Sequence, residues 1–158
     1  MLLIYKFLAI LGVLIFVFAI IGIVLYVIYS YSLYKMAVKQ GLENPWIAFI
    51  PIAQNYIIGR LIKTLKVFDY EIPRIEIVLP VAALVVLVFS QVDFLGGLLS
   101  LANFILMLFA LNKLYKMYKP DNATLYTVLS IFGLPVPFIF LSIKELEPLI
   151  EASDNNQL

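Results

Sequence analysis

The sequence predicts an all-α integral membrane protein with four transmembrane helices and one proline-broken segment that re-enters or kinks. Five spanning helices is the alternative. Three observations lead there. Of 158 residues, 64% are hydrophobic and 13% charged, whereas soluble domains run at about 45–50% apolar and about 25% charged. A soluble chain of this length buries only part of its surface and cannot hide so much apolar area. The apolar residues also fall into five runs, 7–34, 46–62, 77–92, 94–111 and 125–143, separated by polar stretches. Residues 1–145 read as one membrane domain and 146–158 as an acidic, flexible tail.

The first run, Phe7–Tyr34, has 28 residues without a charge. As a helix it would reach about 42 Å, beyond the hydrocarbon thickness of about 30 Å, so it tilts or protrudes. A cleavable signal sequence has an apolar stretch of only about 7–15 residues before a small-residue cleavage site. Here a tyrosine-rich stretch, Tyr29-Ser30-Tyr31-Ser32-Leu33-Tyr34, closes the run, as in an interfacial aromatic belt. The run is read as a retained helix.

The second run, Trp46–Ile62, opens on Asn44-Pro45-Trp46. The residue before proline avoids helical backbone, and Pro45 suits a first helical turn. Pro51 then breaks or kinks the run, because proline lacks the amide donor and clashes with the preceding turn. The third and fourth runs form a 35-residue stretch interrupted by Ser90-Gln91-Val92-Asp93. One helix of that length would reach about 52 Å, so a helical hairpin turning near Asp93 is expected. Between the second and third runs, Arg60–Glu76 reads as an amphipathic surface segment broken by Pro73. The fifth run, 125–143, contains Pro135 and Pro137. Pro45, Pro51, Pro135 and Pro137 are thus the candidate breakers.

The tetrapeptide Leu-Tyr-Lys-Met occurs at Leu33–Met36 and again at Leu114–Met117. Each copy closes a long apolar run and precedes a polar turn and a proline-containing apolar run, so a tandem duplication is a candidate origin. If 46–62 re-enters, nine basic residues face one side and two, Lys6 and Lys144, face the other; if all five runs span, the division is eight to three. Positive charge favours the cytoplasmic side. Only the re-entrant arrangement puts both tetrapeptides on one face, with both termini outside. Lys35, Lys39, Arg60, Lys63, Lys66, Lys113, Lys116 and Lys119 then form a cytoplasmic basic face near anionic headgroups.

The chain has neither Cys nor His. That excludes disulfides, Cys or His metal sites, thiol nucleophiles and imidazole bases. A serine hydrolase would need a Ser–Lys pair, and the lysines lie at interfaces rather than in an apolar pocket. No catalytic residue, cofactor or metal is expected. A net charge of +1 gives no reason to expect nucleic acid. The candidate polar site is Gln54, Asn55 and Tyr56 with Asn103. Amides in an apolar run need partners. Backbone groups freed by Pro51, or helix packing in the case of Asn103, are the alternatives to a ligand. Asp93 is either solvated at the hairpin turn or part of a relay.

The residues Lys39, Gly41, Pro45-Trp46, Ile50-Pro51-Ile52 and Tyr56, then Lys113–Lys119 and 133–140, form a pattern. The pattern resembles a group of small bacterial multi-pass membrane proteins of uncharacterised function, some joined to signal-peptidase domains. The resemblance covers residues 31–145 and is most specific at "NPWIAFIPI". The chain departs from it at Gln54, where Asn is expected, and in the final run, which lacks a Gly-rich start. The resemblance implies an envelope-associated role in the bacterial inner membrane and transfers no peptidase residues. The reading is a non-enzymatic multi-pass membrane protein acting through protein or lipid contacts, such as an envelope accessory or immunity-type protein. Its partners would be membrane lipid and another membrane protein or a second copy of itself. The alternative is a small transporter or lipid-handling protein using the broken segment as its polar site.

Overall fold

A computed structural model of the chain describes residues 2–67 and 70–149, the side chain of Asp93 excepted. The chain is mostly helical, 77%. Helix α1 runs over Leu2–Lys39 and, with 38 residues, reaches about 57 Å. Every described residue from Leu2 to Val24 is exposed, and burial begins in earnest only at Ser30. A Schellman turn ends α1: Leu42 N–H donates to Ala37 O and Gly41 N–H to Val38 O, each at 3.0 Å. Gly41 supplies the left-handed backbone, φ 63°, that this turn requires.

The run after α1 is broken, as Pro51 predicts. Pro45–Phe49 is a 3-10 turn with Pro45 at its start, and residues 50–53 are turns. Helix α2 follows, Gln54–Ile62. Ile52 in the break adopts φ 68°, a left-handed conformation costly for a β-branched residue. At nine residues α2 spans only about 14 Å, well short of the bilayer core.

The stretch Arg60–Glu76 is not a single amphipathic surface segment. Its start completes α2, and it then forms a β-hairpin of β1 (Leu65–Val67) and β2 (Tyr70–Ile72), with Leu65 opposite Ile72 and Lys66 opposite Glu71. The all-α class therefore gains a two-stranded ribbon. Lys63, at φ 59°, turns the chain out of α2. Leu65 is buried, which gives the ribbon an inner face.

Helix α3 (Ile75–Phe89) and helix α4 (Asp93–Tyr118) flank the turn at residues 90–92. Buried Ile75 and Leu79 at the start of α3 share a core with buried Leu111 and Leu114 near the end of α4. The pair is thus an antiparallel hairpin, turning where the sequence places it. The two readings of Asp93 concern its side chain, which lies outside the described residues. With 26 residues, α4 reaches about 39 Å; α3, with 15, reaches only about 22 Å.

The fifth apolar run is not one spanning helix. It is divided into α5 (Ala123–Ser130) and α6 (Val136–Ile143) by turns at residues 131–135. Gly133 takes φ 71°, Pro135 caps α6, and Pro137 sits in its first turn. A left-handed glycine followed by two prolines stops α5 and restarts the chain in a new direction. Among the described residues two helices, α1 and α4, are long and apolar enough to cross a membrane. The strongly apolar stretch of α1 has no side chain buried within the protein. It is therefore not packed as the core helix of a soluble fold among the described residues.

The core lies at one end of the long helices. Leu33, Met36 and Ala37 of α1 meet Ile57, Ile58 and Leu61 of α2, with Leu114 and Tyr115 of α4 and Phe140 and Ile143 of α6. Both Leu-Tyr-Lys-Met copies contribute their Leu and Met to this one cluster. The i, i+3 spacing puts Leu and Met on the same helix face, while Lys35 stays partly exposed and Lys116 exposed.

Candidate functional site

The polar end of the molecule is assembled from helix C-termini. Gln40 Nε2 donates to Tyr118 Oη at 2.8 Å, joining the ends of α1 and α4. Lys113 Nζ donates to the carbonyl of Thr64 and, at 2.7 Å, to its hydroxyl, joining α4 to the start of the ribbon. Leu149 N–H donates to Met117 O at 2.7 Å. Lys39 Nζ donates to the Glu145 carbonyl at 2.5 Å and lies 3.3 Å from its carboxylate, joining α1 to the segment after α6. Lys35, Lys39, Arg60, Lys63, Lys66, Lys113, Lys116 and Lys119 therefore share one end of the fold. Lys144 shares it too, 4.9 Å above the Tyr31 ring. The expectation that Lys144 faces away from Lys39 fails, because α5 and α6 turn back instead of crossing.

Several of these cations lie over aromatic rings. Lys35 is 5.9 Å from the Tyr31 centroid, Arg60 5.9 Å from that of Tyr56, and Lys119 6.0 Å from that of Tyr126. Cation and quadrupole attract at this range. The tyrosines also supply apolar surface beneath charged heads, an arrangement suited to a membrane interface.

The predicted polar site is only partly gathered. Gln54, Asn55 and Tyr56 open α2 and are half-buried. Gln54 Oε1 is buried with no hydrogen-bond partner among the described residues. Tyr56 Oη accepts from Arg60 Nη1 at 3.2 Å. Asn103 is half-buried on α4, and no hydrogen bond joins it to the Gln54 group. Among the described residues no cluster of acidic side chains could hold a metal ion.

No family model, curated protein or solved structure matches this chain. The site must therefore be read from its own chemistry.

Sequence reading missed an aromatic knot between the long helices. Buried Tyr115 shares a hydrogen bond of 2.9 Å with buried Ser130, whose Oγ also bonds Tyr126 O at 2.7 Å. Phe140 packs edge-on against Tyr29 at 4.9 Å and against Tyr115 at 6.1 Å. Beside this knot, Gly22, Tyr26 and Tyr29 of α1, Phe104 and Leu111 of α4, and the break at Gly133–Pro137 enclose an apolar groove of about 460 Å³. Tyr26 Oη is engaged with Phe49 O at 2.6 Å. Such a groove, open along two long apolar helices and almost without polar atoms, suits an alkyl chain or an apolar helix face. The signal for it was present in the order Gly133, Pro135, Pro137, since a break between two helices leaves a notch.

Proposed function

We propose that this chain is a non-enzymatic multi-pass membrane protein of the bacterial inner membrane, acting through lipid or protein contacts. An envelope accessory or an immunity-type protector fits that description. The observation that carries the reading is the division of the molecule. One end holds the core and every basic residue except Lys6, and the bare apolar length of α1 projects from it. A basic end beside apolar helices matches a cytoplasmic headgroup region next to hydrocarbon. The α3–α4 hairpin and α1 then supply the passes. The broken segments 46–62 and 123–143 enter from the basic face and return to it. Non-helical backbone survives at membrane depth where protein or a wet cavity satisfies it; at the first break Tyr26 Oη of α1 donates to Phe49 O, and at the second Gly133 and Pro137 share a groove with α1. The resemblance at "NPWIAFIPI" adds the envelope setting.

The absence of native cysteine allows single-cysteine labelling without background. Cysteines at Lys39, Arg60, Lys116 and Lys144 should react with an impermeant thiol reagent from the cytoplasmic side alone, and one at Lys6 from the opposite side. Reaction of the Lys39 and Lys144 positions from opposite sides would sink the arrangement. The rival reading, a small transporter or lipid-handling protein with its polar site at the broken segment, has the unpartnered Gln54 Oε1 in its favour.

A further inference from the structure

A second opening lies on the neighbouring flank of α4, where Leu108 separates it from the groove against α1. At its base is a recess of about 410 Å³ lined by Thr64, Leu65, Lys66, Phe109, Asn112, Lys113 and Lys116. Three of the described lining side chains are ammonium groups and none is a carboxylate. Directly along the helix lies an apolar groove of about 360 Å³, lined by Ile105, Leu108, Phe109, Asn112 and Thr127. Phe109 and Asn112 line both, so the two adjoin. Each falls in the range of ligand-sized clefts, about 300–1,000 Å³.

The order of side chains along this flank is informative. Ile105, Leu108, Phe109, Asn112 and Lys116 recur at the spacing of one helix face and cover about 16 Å of helix axis. Travelling toward the basic end, apolar groups give way to an amide and then to ammonium groups. That sequence of chemistries mirrors a phospholipid, from acyl chain through ester to phosphate. Lys113 is held at the recess by its two bonds to Thr64. Asn112 is held by Thr127, Nδ2 to Oγ1 at 2.8 Å, and Thr127 in turn donates to Ala123 O. Lys66 and Lys116 are exposed. Among the described residues, Glu71 lies nearby, opposite Lys66 in the ribbon, and its field also reaches Lys113.

We propose that this flank is a site for one anionic phospholipid, its phosphodiester in the recess of Lys66, Lys113 and Lys116 and one acyl chain along Ile105, Leu108 and Phe109. The inference rests on the membrane reading above and assigns the lipid contact to a place. The charge of the recess selects an anionic headgroup, and the apolar groove adjoining it selects a lipid over a free anion. A basic surface serving only as a topology signal would need neither the groove nor the buttressing of Lys113 and Asn112.

The test is native mass spectrometry of the full chain in a neutral detergent, with phosphatidylglycerol or phosphatidylcholine added. One phosphatidylglycerol should remain bound, in preference to phosphatidylcholine. The double variant Lys66→Gln/Lys116→Gln, which leaves the Lys113 buttress in place, should bind it about thirtyfold more weakly. The control Lys39→Gln/Lys119→Gln removes the same charge from the same end and should bind as the parent does. Ile105→Trp, which fills the groove at a lipid-facing position, should also weaken binding, and inorganic phosphate should not compete. Equal losses in both double variants would overturn the site in favour of diffuse attraction. Competition by phosphate with no effect of Ile105→Trp would replace it with a free-anion pocket. A chain that labels with the expected sidedness yet retains no phosphatidylglycerol would refute the lipid site alone; a chain that fails to enter bilayers would refute the membrane reading.

Discussion

Gly59 is where α2 meets α3 backbone to backbone, and replacing it with alanine is the sharpest test of how the core is built. A Cβ at that position would lie 2.3 Å from Glu76 Cα, 2.7 Å from Glu76 N and 3.0 Å from Ile75 C. All three are main-chain atoms, so no rotamer change relieves the overlap. Restoring ordinary contact, about 3.5–4.0 Å, needs the helices to separate by more than about 1 Å. Overpacking of this kind costs about 1–3 kcal/mol, and the rigid neighbours place Gly59→Ala at the upper end. The intrinsic helix preference of alanine over glycine returns about 1 kcal/mol. A net loss of about 2 kcal/mol is expected, roughly thirtyfold in the folding equilibrium. The readout is unfolding of the detergent-solubilised chain by added sodium dodecyl sulfate, followed by circular dichroism. Gly12→Ala is the control, because nothing lies within 4 Å of its added Cβ; it should not destabilise, and the helix preference of alanine would stabilise it by up to about 1 kcal/mol. A Gly59→Ala variant as stable as the parent would refute the close α2–α3 approach.

Other outcomes follow from the same packing and can be read in the same unfolding assay. Tyr115→Ala should lose about 3–5 kcal/mol, since it empties the centre of the core, whereas Tyr115→Phe should lose only about 0.5–1.5 kcal/mol for the bond to Ser130. Equal losses in both would mean that the ring contributes nothing beyond its hydroxyl. Gln54→Leu should be neutral or stabilising by up to about 1 kcal/mol, because Oε1 is buried without a partner among the described residues; a clear destabilisation would show that the amide is engaged. Gly133→Ala should cost about 1–2 kcal/mol, the penalty of a left-handed backbone for a residue bearing a Cβ. Glu145→Ala should change stability by less than about 1 kcal/mol, because the pair with Lys39 is solvent-exposed.

The parts of this fold governed by length and by proline were legible in the sequence. An uncharged run of 28 residues can hardly be anything but a long helix, and Pro51 breaks its run as its missing amide requires. The turn at 90–92 was legible because an uninterrupted helix would overshoot the bilayer. What the sequence hid depends on partners far along the chain. Ser130 reads as one scattered serine until Tyr115 is set beside it. Leu65 and Ile72 are too short a pattern to announce a ribbon, and the ribbon forms because α2 delivers Leu65 to the core. The division of 125–143 was underestimated for a specific reason. Each proline alone would kink a helix, but Gly133 in a left-handed turn makes the break complete. That one error also misplaced Lys144. Of the candidate polar site, Gln54, Asn55 and Tyr56 are neighbours by sequence; Asn103 was joined to them only by chemical type, and the fold makes no such bond.

The uneven burial of α1 means that its two ends answer to different rules of substitution. From Leu2 to Ile21 every side chain is exposed, so wholesale apolar replacement there should be silent in the isolated protein. Between Ser30 and Ala37 the same helix is fitted against α2, α4 and α6, and single methyl groups matter. A systematic mutational scan would therefore show a permissive rod ending in an exacting socket. Any position in the rod that proved intolerant would mark the footprint of another molecule.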